Sequence, residues 1–239
     1  KYLFDFIIIK HKNGYFLDCE KKQIDQLYKQ LNIYKLRSKV EILNLSNEFV
    51  VAAISREKFL SLQNAKDESG FTMKYNEDSI ILDPRNKELG ARLIINLEKL
   101  DHSIKKLELN SRESSEYYMY SHKLGIAQLD TDKLQNKIFG IECNFEELNG
   151  IDFKKGCYVG QENTARMKLK NKIRRQLMSI KTENDLKIGD EIKYNDSVIG
   201  RILIDKPYPF ALIKLFDPDF SDFKDKKLKI NDSNAEIIS

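Results

Sequence analysis

A chain of 239 residues is long enough to bury a substantial core, as one large domain or as two to three small ones. Its 41% hydrophobic and 33% charged residues exclude a disordered chain, and a net charge of +4 is too small to imply nucleic acid by itself. Cys19, Cys143 and Cys157 lie far apart with no Cys-x-x-Cys pair, which favours a reducing compartment. His11, His102 and His122 show no HExxH and no closely spaced Cys/His partners, so no metal site is expected. The longest strongly apolar run, Phe6 to Ile9, is too short to span a bilayer and no signal peptide precedes it. No membrane partner is expected, and the chain reads as cytoplasmic if bacterial, or as mitochondrial-matrix if eukaryotic.

In chain order, residues 3–9 are rich in β-formers and read as a strand, Asn13-Gly14 as a hairpin turn, and Tyr15 to Cys19 as the returning strand. Ile24, Leu27, Leu31 and Tyr34 recur at spacings of three and four, which predicts an amphipathic helix over 20–34. Val40 to Leu45 reads as a third strand, giving a small ferredoxin-like layer. A strand over Phe49–Ile54, a short helix near Arg56–Gln63 and strands over Ser79–Leu82 and Arg92–Asn96 follow. Ser111 to Leu124 is helical in pattern, with Gly125 in the place of a C-terminal cap. Residues 126–153 are irregular and turn-rich, and Gln161 to about Lys170 reads as a helix. Beyond Lys172, five short strands (Gln176–Ile180, Glu191–Tyr194, Val198–Ile204, Phe210–Leu215, Lys227–Ile230) suggest a small terminal β-barrel.

The run Lys155-Gly156-Cys157-Tyr158-Val159-Gly160-Gln161-Glu162 carries the most chemistry. Two glycines four apart allow a tight turn and close approach to a ligand. Gln161 and Glu162 fall in the first turn of the following helix, at its free N–H groups and positive dipole end. Cys157, between Lys155 and that helix start, is placed to favour its thiolate. Tyr158 offers a flat face and a hydroxyl, and Glu162 and Arg166 can pair four residues apart. On spacing alone the stretch still reads first as a structural turn with a small buried cysteine.

The same run resembles the K-G-C-Y-x-G-Q-E signature of the YgfZ family of folate-binding proteins, relatives of the glycine-cleavage T protein. Leu36-Arg37-Ser38-Lys39-Val40 is similar to the family's LRxKV stretch, and Asp83-Pro84-Arg85 with Leu89-Gly90 and Arg92 to its DPR…LGxR stretch. Phe139 to Asn144 resembles FPxExN with Gly140 in place of proline, and Gly150 to Phe153 resembles GIxF. The resemblance implies an α+β, T-protein-like three-part fold: a ferredoxin-like middle domain over 1–46, a folate-binding α/β domain over 47–172 and a C-terminal β-barrel over 173–239. Family members carry a further stretch before the position of Lys1, so it also implies N-terminal truncation within the fold.

By resemblance the cofactor is tetrahydrofolate or another reduced folate. Glu142 and Asn144 would face the pterin, with Lys155, Gly156, Tyr158, Gly160, Gln161, Glu162 and Arg166 lining or supporting the pocket and Cys157 as a functional thiol. The implied role is assembly or repair of iron–sulfur clusters, with client enzymes or the assembly machinery as partners. Aminomethyl transfer is the enzymatic alternative. Against it, Phe4-Asp5 stands where the T protein has a paired Asp-Asp, and Ser121-His122-Lys123-Leu124-Gly125 where it has R-L-E-A-G. Whether the chain is an enzyme therefore stays open. A third reading is a weak tRNA contact through Arg166, Lys168, Lys170, Lys172, Arg174 and Arg175, a basic run that also suits a plain solvated face.

Overall fold

The computed structural model describes residues 1–75, 78–156, 160–169, 173–231 and 233–238. The chain folds into two compact units: Phe4–Tyr117, and Lys1–Leu3 together with Tyr118–Ser239.

The Phe4–Tyr117 unit opens with a hairpin of β1 (Phe6–His11) and β2 (Gly14–Cys19), turning at Lys12 and Asn13. Ile7 and Ile9 are buried while Ile8 between them is exposed, the period-two pattern of a half-covered strand. The helix α1 (Ile24–Lys35) follows, inserting Leu27 into the core. The expected strand over Val40–Leu45 does not form, and Val40 and Leu43 are 52% and 61% exposed. The segment has strand composition but pairs with no strand among the described residues, and β-propensity without a ladder does not make a strand.

Next come β3 (Phe49–Ile54), α2 (Arg56–Leu60), β4 (Thr72–Tyr75), β5 (Asp78–Leu82), β6 (Ala91–Asn96) and α3 (Leu100–Lys106). The four strands form an antiparallel sheet in the order β3-β6-β5-β4. β5 is buried along its whole length, as a central strand covered on both faces must be. Its core partners include Ile54, Phe59, Leu93 and Leu107. α3 is not foreshadowed in the sequence pattern. It is entered through an Asn96 cap that accepts the Glu98 N–H, followed by a short 3-10 turn.

The DPR…LGxR stretch organises a buried charge network in this unit. Asp83 is 1% exposed and accepts hydrogen bonds from Arg85 Nε (3.0 Å), Nη2 (2.8 Å) and backbone N–H (2.9 Å), and from Arg92 Nε (3.2 Å). Arg92 also donates to Asp18 at 2.5 Å and to the Tyr117 hydroxyl at 2.7 Å, while Arg85 Nη1 lies 3.8 Å from Asp5. Burial alone would raise the Asp83 carboxyl, but Arg85 and Arg92 hold it below the usual range. At Asp5 burial wins over the same two arginines and raises its pKa.

α4 (Ser114–Lys123) carries the boundary between the units. After it the chain runs through short 3-10 turns to α5 (Gln161–Leu169) and then the barrel strands. These are β7 (Arg175–Lys181), β8 (Glu191–Tyr194), β9 (Ser197–Ile204), β10 (Phe210–Lys214), β11 (Leu228–Ile230) and β12 (Ser233–Ile237), with α6 (Phe220–Phe223) before β11. Among the described residues six strands, not five, close the barrel, in the order β10-β7-β12-β11-β8-β9. The sixth, β12, buries only Ala235 between polar neighbours and lacks a readable apolar alternation. The turn signal at Asn195-Asp196 is realised as a two-residue hairpin with both residues left-handed. Met178, Ile180, Ile192, Ile199, Ile202 and Phe223 belong to the barrel core. On its outer side Leu177, Ile204, Phe210 and Leu212 pack against Tyr2, Leu134, Ile138 and Cys143. β10 is therefore buried on both faces.

Gly90 has φ +79°, and a Cβ there would lie 2.0 Å from the Ile54 carbonyl oxygen, which is backbone and cannot yield. Gly90→Ala is expected to destabilise the protein by about 2–4 kcal/mol in urea unfolding, against less than about 0.5 kcal/mol for an exposed control substitution.

Candidate functional site

The site is built on the segment that covers β7 of the barrel. Phe139 opens a 3-10 turn, Gly140–Cys143, closed by backbone bonds from Glu142 N–H (2.9 Å) and Cys143 N–H (3.2 Å) to the Phe139 carbonyl. Glu142 is 3% exposed, and Oε2 accepts the Phe139 N–H at 2.9 Å. Oε1 accepts from Arg175 Nε at 3.0 Å and Nη2 at 2.9 Å. A buried carboxylate is tolerated only when so paired. Asn144 ends the turn in the left-handed region, φ +62°, and its Nδ2 donates to the Leu177 carbonyl on β7 at 2.9 Å. Its Oδ1 is buried and accepts no hydrogen bond from the described residues, so a donor is wanting at that point.

A second cation is pinned by a carboxylate of the same segment. Lys168 of α5 contacts Glu146 at 2.6 Å and lies 5.7 Å from the Phe153 ring centre. Glu142 and Glu146 thus hold Arg175 and Lys168, whose side chains remain 47% and 45% exposed. Each of these half-exposed cations is oriented by one carboxylate of the Glu142–Glu146 stretch.

The structure therefore joins Glu142 and Asn144 in one turn against β7 and ties α5 to the same segment through Lys168. Lys155, Gly156 and Glu162 are exposed, as is Arg166, while Gln161 is half-buried. Gly160 has φ +88°, a conformation that favours glycine just before α5. Cys157 and Tyr158 lie outside the described residues, as do Lys170 and Lys172 of the basic run. Arg175 is not among the expected pocket residues: it pairs with a carboxylate 33 positions away in the chain, and no local spacing encodes that.

The stretch that stands in place of R-L-E-A-G serves packing here. His122 is buried, with its Nε2 2.9 Å from the Pro209 carbonyl and its ring edge-on to Phe210. Ser121 donates to the Ile126 carbonyl, and Lys123 is exposed. Of the other thiols, Cys143 is buried, and burial followed by Asp18 and Glu20 pushes the Cys19 thiol up to about 11.

No protein-family model matches the chain. It is 29% identical over 187 residues to the "Iron-sulfur cluster assembly factor IBA57 homolog, mitochondrial" of Dictyostelium discoideum, covering 75% of this chain and 45% of that protein. The mouse protein "Iron-sulfur cluster assembly factor IBA57, mitochondrial" is 29% identical over 72% of this chain and 46% of its own length. The "tRNA-modifying protein YgfZ" of Aliivibrio fischeri is 27% identical over 79% and 58%. The chain is thus similar in sequence to YgfZ and IBA57 proteins over about three quarters of its length. It spans roughly half the length of these curated relatives. Among solved structures, the glycine cleavage system aminomethyltransferase T from Bartonella henselae superposes with a TM-score of 0.70 at 11% identity, covering 99% of this chain and 71% of that one. The chain thus has the T-protein-like α+β fold, closed C-terminal barrel included. None of the helices among the described residues is long and apolar enough to cross a membrane.

Burial lowers the His122 pKa from its ordinary 6.5, with the Pro209 contact acting the other way. The folded state thus disfavours the charged ring. The stability this contributes is full above pH 6.5 and declines as pH falls from there toward the lower folded value. In urea unfolding, wild type should lose stability relative to His122→Gln as the pH falls below 6.5; parallel curves would remove His122 as the cause.

Proposed function

We propose that the chain binds tetrahydrofolate, or another reduced folate, and supports the assembly or repair of iron–sulfur clusters in client enzymes. The observation that carries the folate part is Asn144 Oδ1, a buried acceptor with no donor among the described residues, beside the paired Glu142 and the half-exposed Arg175. A pterin presents N–H donors along one edge, and the folate tail ends in carboxylates. Asn144 and the remaining lone pairs of Glu142 suit the first, and Arg175 and Lys168 suit the second. The residues present fit the group. A bound folate would supply a carrier for one-carbon units. What the chain's own residues do is orient the pterin edge at Asn144 and Glu142 and neutralise the tail at the cations. Lys155, Gly156, Tyr158, Gly160, Gln161, Glu162 and Arg166 belong to this proposal as the supporting loop and helix start. The three-part division into 1–46, 47–172 and 173–239 belongs to it as well.

The cluster-related part is supported by the names of the IBA57 relatives, which are mitochondrial iron-sulfur cluster assembly factors, and the location that goes with it for this chain is the bacterial cytoplasm or the mitochondrial matrix. Cys157, which the motif resemblance singles out, is the thiol we assign to such chemistry; Cys143 is buried and burial raises the Cys19 pKa. Aminomethyl transfer is the weaker reading, since Lys123 replaces an acidic position and His122 is committed to packing.

Titration calorimetry with tetrahydrofolate tests the ligand. Asn144→Ala should weaken binding about tenfold, as expected for one lost hydrogen bond, and absence of binding to the wild type would refute the folate reading. Maleimide labelling at about pH 7 should modify Cys157 first, and the fast phase should vanish in Cys157→Ala but persist in Cys19→Ala. Equal rates at Cys19 and Cys157 would remove the special role given to that thiol.

A further inference from the structure

The Leu36–Val40 stretch has no part in the site described above, and it does not pack into the core. Large apolar side chains face solvent throughout this region: Ile33, Tyr34, Leu36, Val40 and Leu43. Ile33, six positions from the buried Leu27, points away from the core side of α1. Leu36, at the helix end, is 84% exposed and holds φ +47°, a left-handed conformation that strains a non-glycine residue. The chain then doubles back. Ser38 N–H donates to the Lys35 carbonyl at 2.9 Å, and Asn44 Nδ2 donates to Asp25 Oδ1, near the start of α1, at 3.4 Å. Residues 36–44 therefore return along the helix whose end carries Ile33 and Tyr34. An apolar cluster of this kind on the outside of a folded unit marks a contact surface.

Charge and backbone together define what it contacts. Residues 29–43 hold the cations Lys29, Lys35, Arg37 and Lys39 against one acid, Glu41. None of these cations pairs with an acid among the described residues. An apolar centre rimmed by charge has the make-up of a protein interface. A second copy meeting the same face would set like charges against each other, so the rim selects an acidic occupant. Residues 39–43 make no backbone hydrogen bond to another described residue, although Val40–Leu45 has the composition of a strand. Lipid could not satisfy those N–H and C=O groups, whereas an extended peptide can. We propose that residues 29–43 are a docking surface for an acidic, extended segment of another protein, which adds as a strand along 39–43. Its carboxylates meet Lys29, Arg37 and Lys39, and Ile33 and Leu36 are the apolar anchors. This inference does not rest on the folate reading, because the surface lies in the Phe4–Tyr117 unit and none of its residues is assigned to that pocket.

The probe is a fluorescein-labelled peptide of about eight alternating Glu and Val residues, titrated with the full chain by fluorescence anisotropy. Affinity should fall at least about fivefold between about 50 and 200 mM salt. The variant R37E/K39E should bind at least about tenfold more weakly, and L36S about threefold or more, both with unchanged circular dichroism. K226E/K227E, which reverses exposed lysines of the other unit, should bind like wild type. No binding at about 50 mM salt, or an equal loss in K226E/K227E, would overturn the proposal. Equal affinity for the Lys-Val counterpart would overturn the acidic partner, and equal affinity for a peptide N-methylated at alternate amides would overturn strand addition. Tighter binding to phosphatidylserine vesicles than to the peptide would assign the surface to lipid instead. Self-association that is lost in R37E/K39E would assign it to a second copy.

Discussion

A carboxylate buried away from water has to be met by donors on every side that faces it, and each unit of this protein is arranged around one such group. In Phe4–Tyr117 the group is Asp83, gripped by Arg85 and Arg92, which in turn reach Asp18, Asp5 and Tyr117. In the barrel-containing unit it is Glu142, gripped by Arg175 and the Phe139 N–H. Removing one member of such a pair leaves a charge stranded in low dielectric at a cost of about 3–5 kcal/mol. These pairs therefore hold their segments to a single geometry even where the backbone is irregular, as it is on both sides of Glu142.

The consequence for the site is that rigidity and exposure are divided between partners. Glu142 and Glu146 lie behind, and Arg175 and Lys168 project in front of them. Arginine holds this position better than lysine would, because its planar fork satisfies Glu142 with Nε and Nη2 and leaves the rest of the guanidinium outward.

Much of the fold could be read from local pattern. The hairpin of β1 and β2, the central sheet strands and most barrel strands announce themselves through alternation and turn residues, and Asn195-Asp196 marks its turn directly. What escaped reading depends on tertiary context. Val40–Leu45 has the composition of a strand but no ladder, whereas β12 has a ladder without the composition. In the candidate site, Glu142 and Asn144 are visible as polar residues in a turn-rich stretch, yet their partners are not. Arg175 and the Leu177 carbonyl belong to a strand that starts 33 residues after Glu142, and only the packing of that segment on β7 brings them together. The family likeness pointed to this turn, and the geometry adds the cation that pairs with Glu142.

The barrel's strand order has a consequence for how such a module travels between proteins. Its first strand, β7, and its last, β12, are hydrogen-bonded neighbours, with Ile180 opposite Ile237. The chain thus enters and leaves the ring at adjoining places. A closed ring with adjoining ends can be spliced onto a different host, or have its order circularly permuted, by altering one short seam, because every ladder inside stays intact. The barrel is in that sense a cassette, joined to its host through side chains such as Leu177, Phe210 and Arg175 on its outer wall.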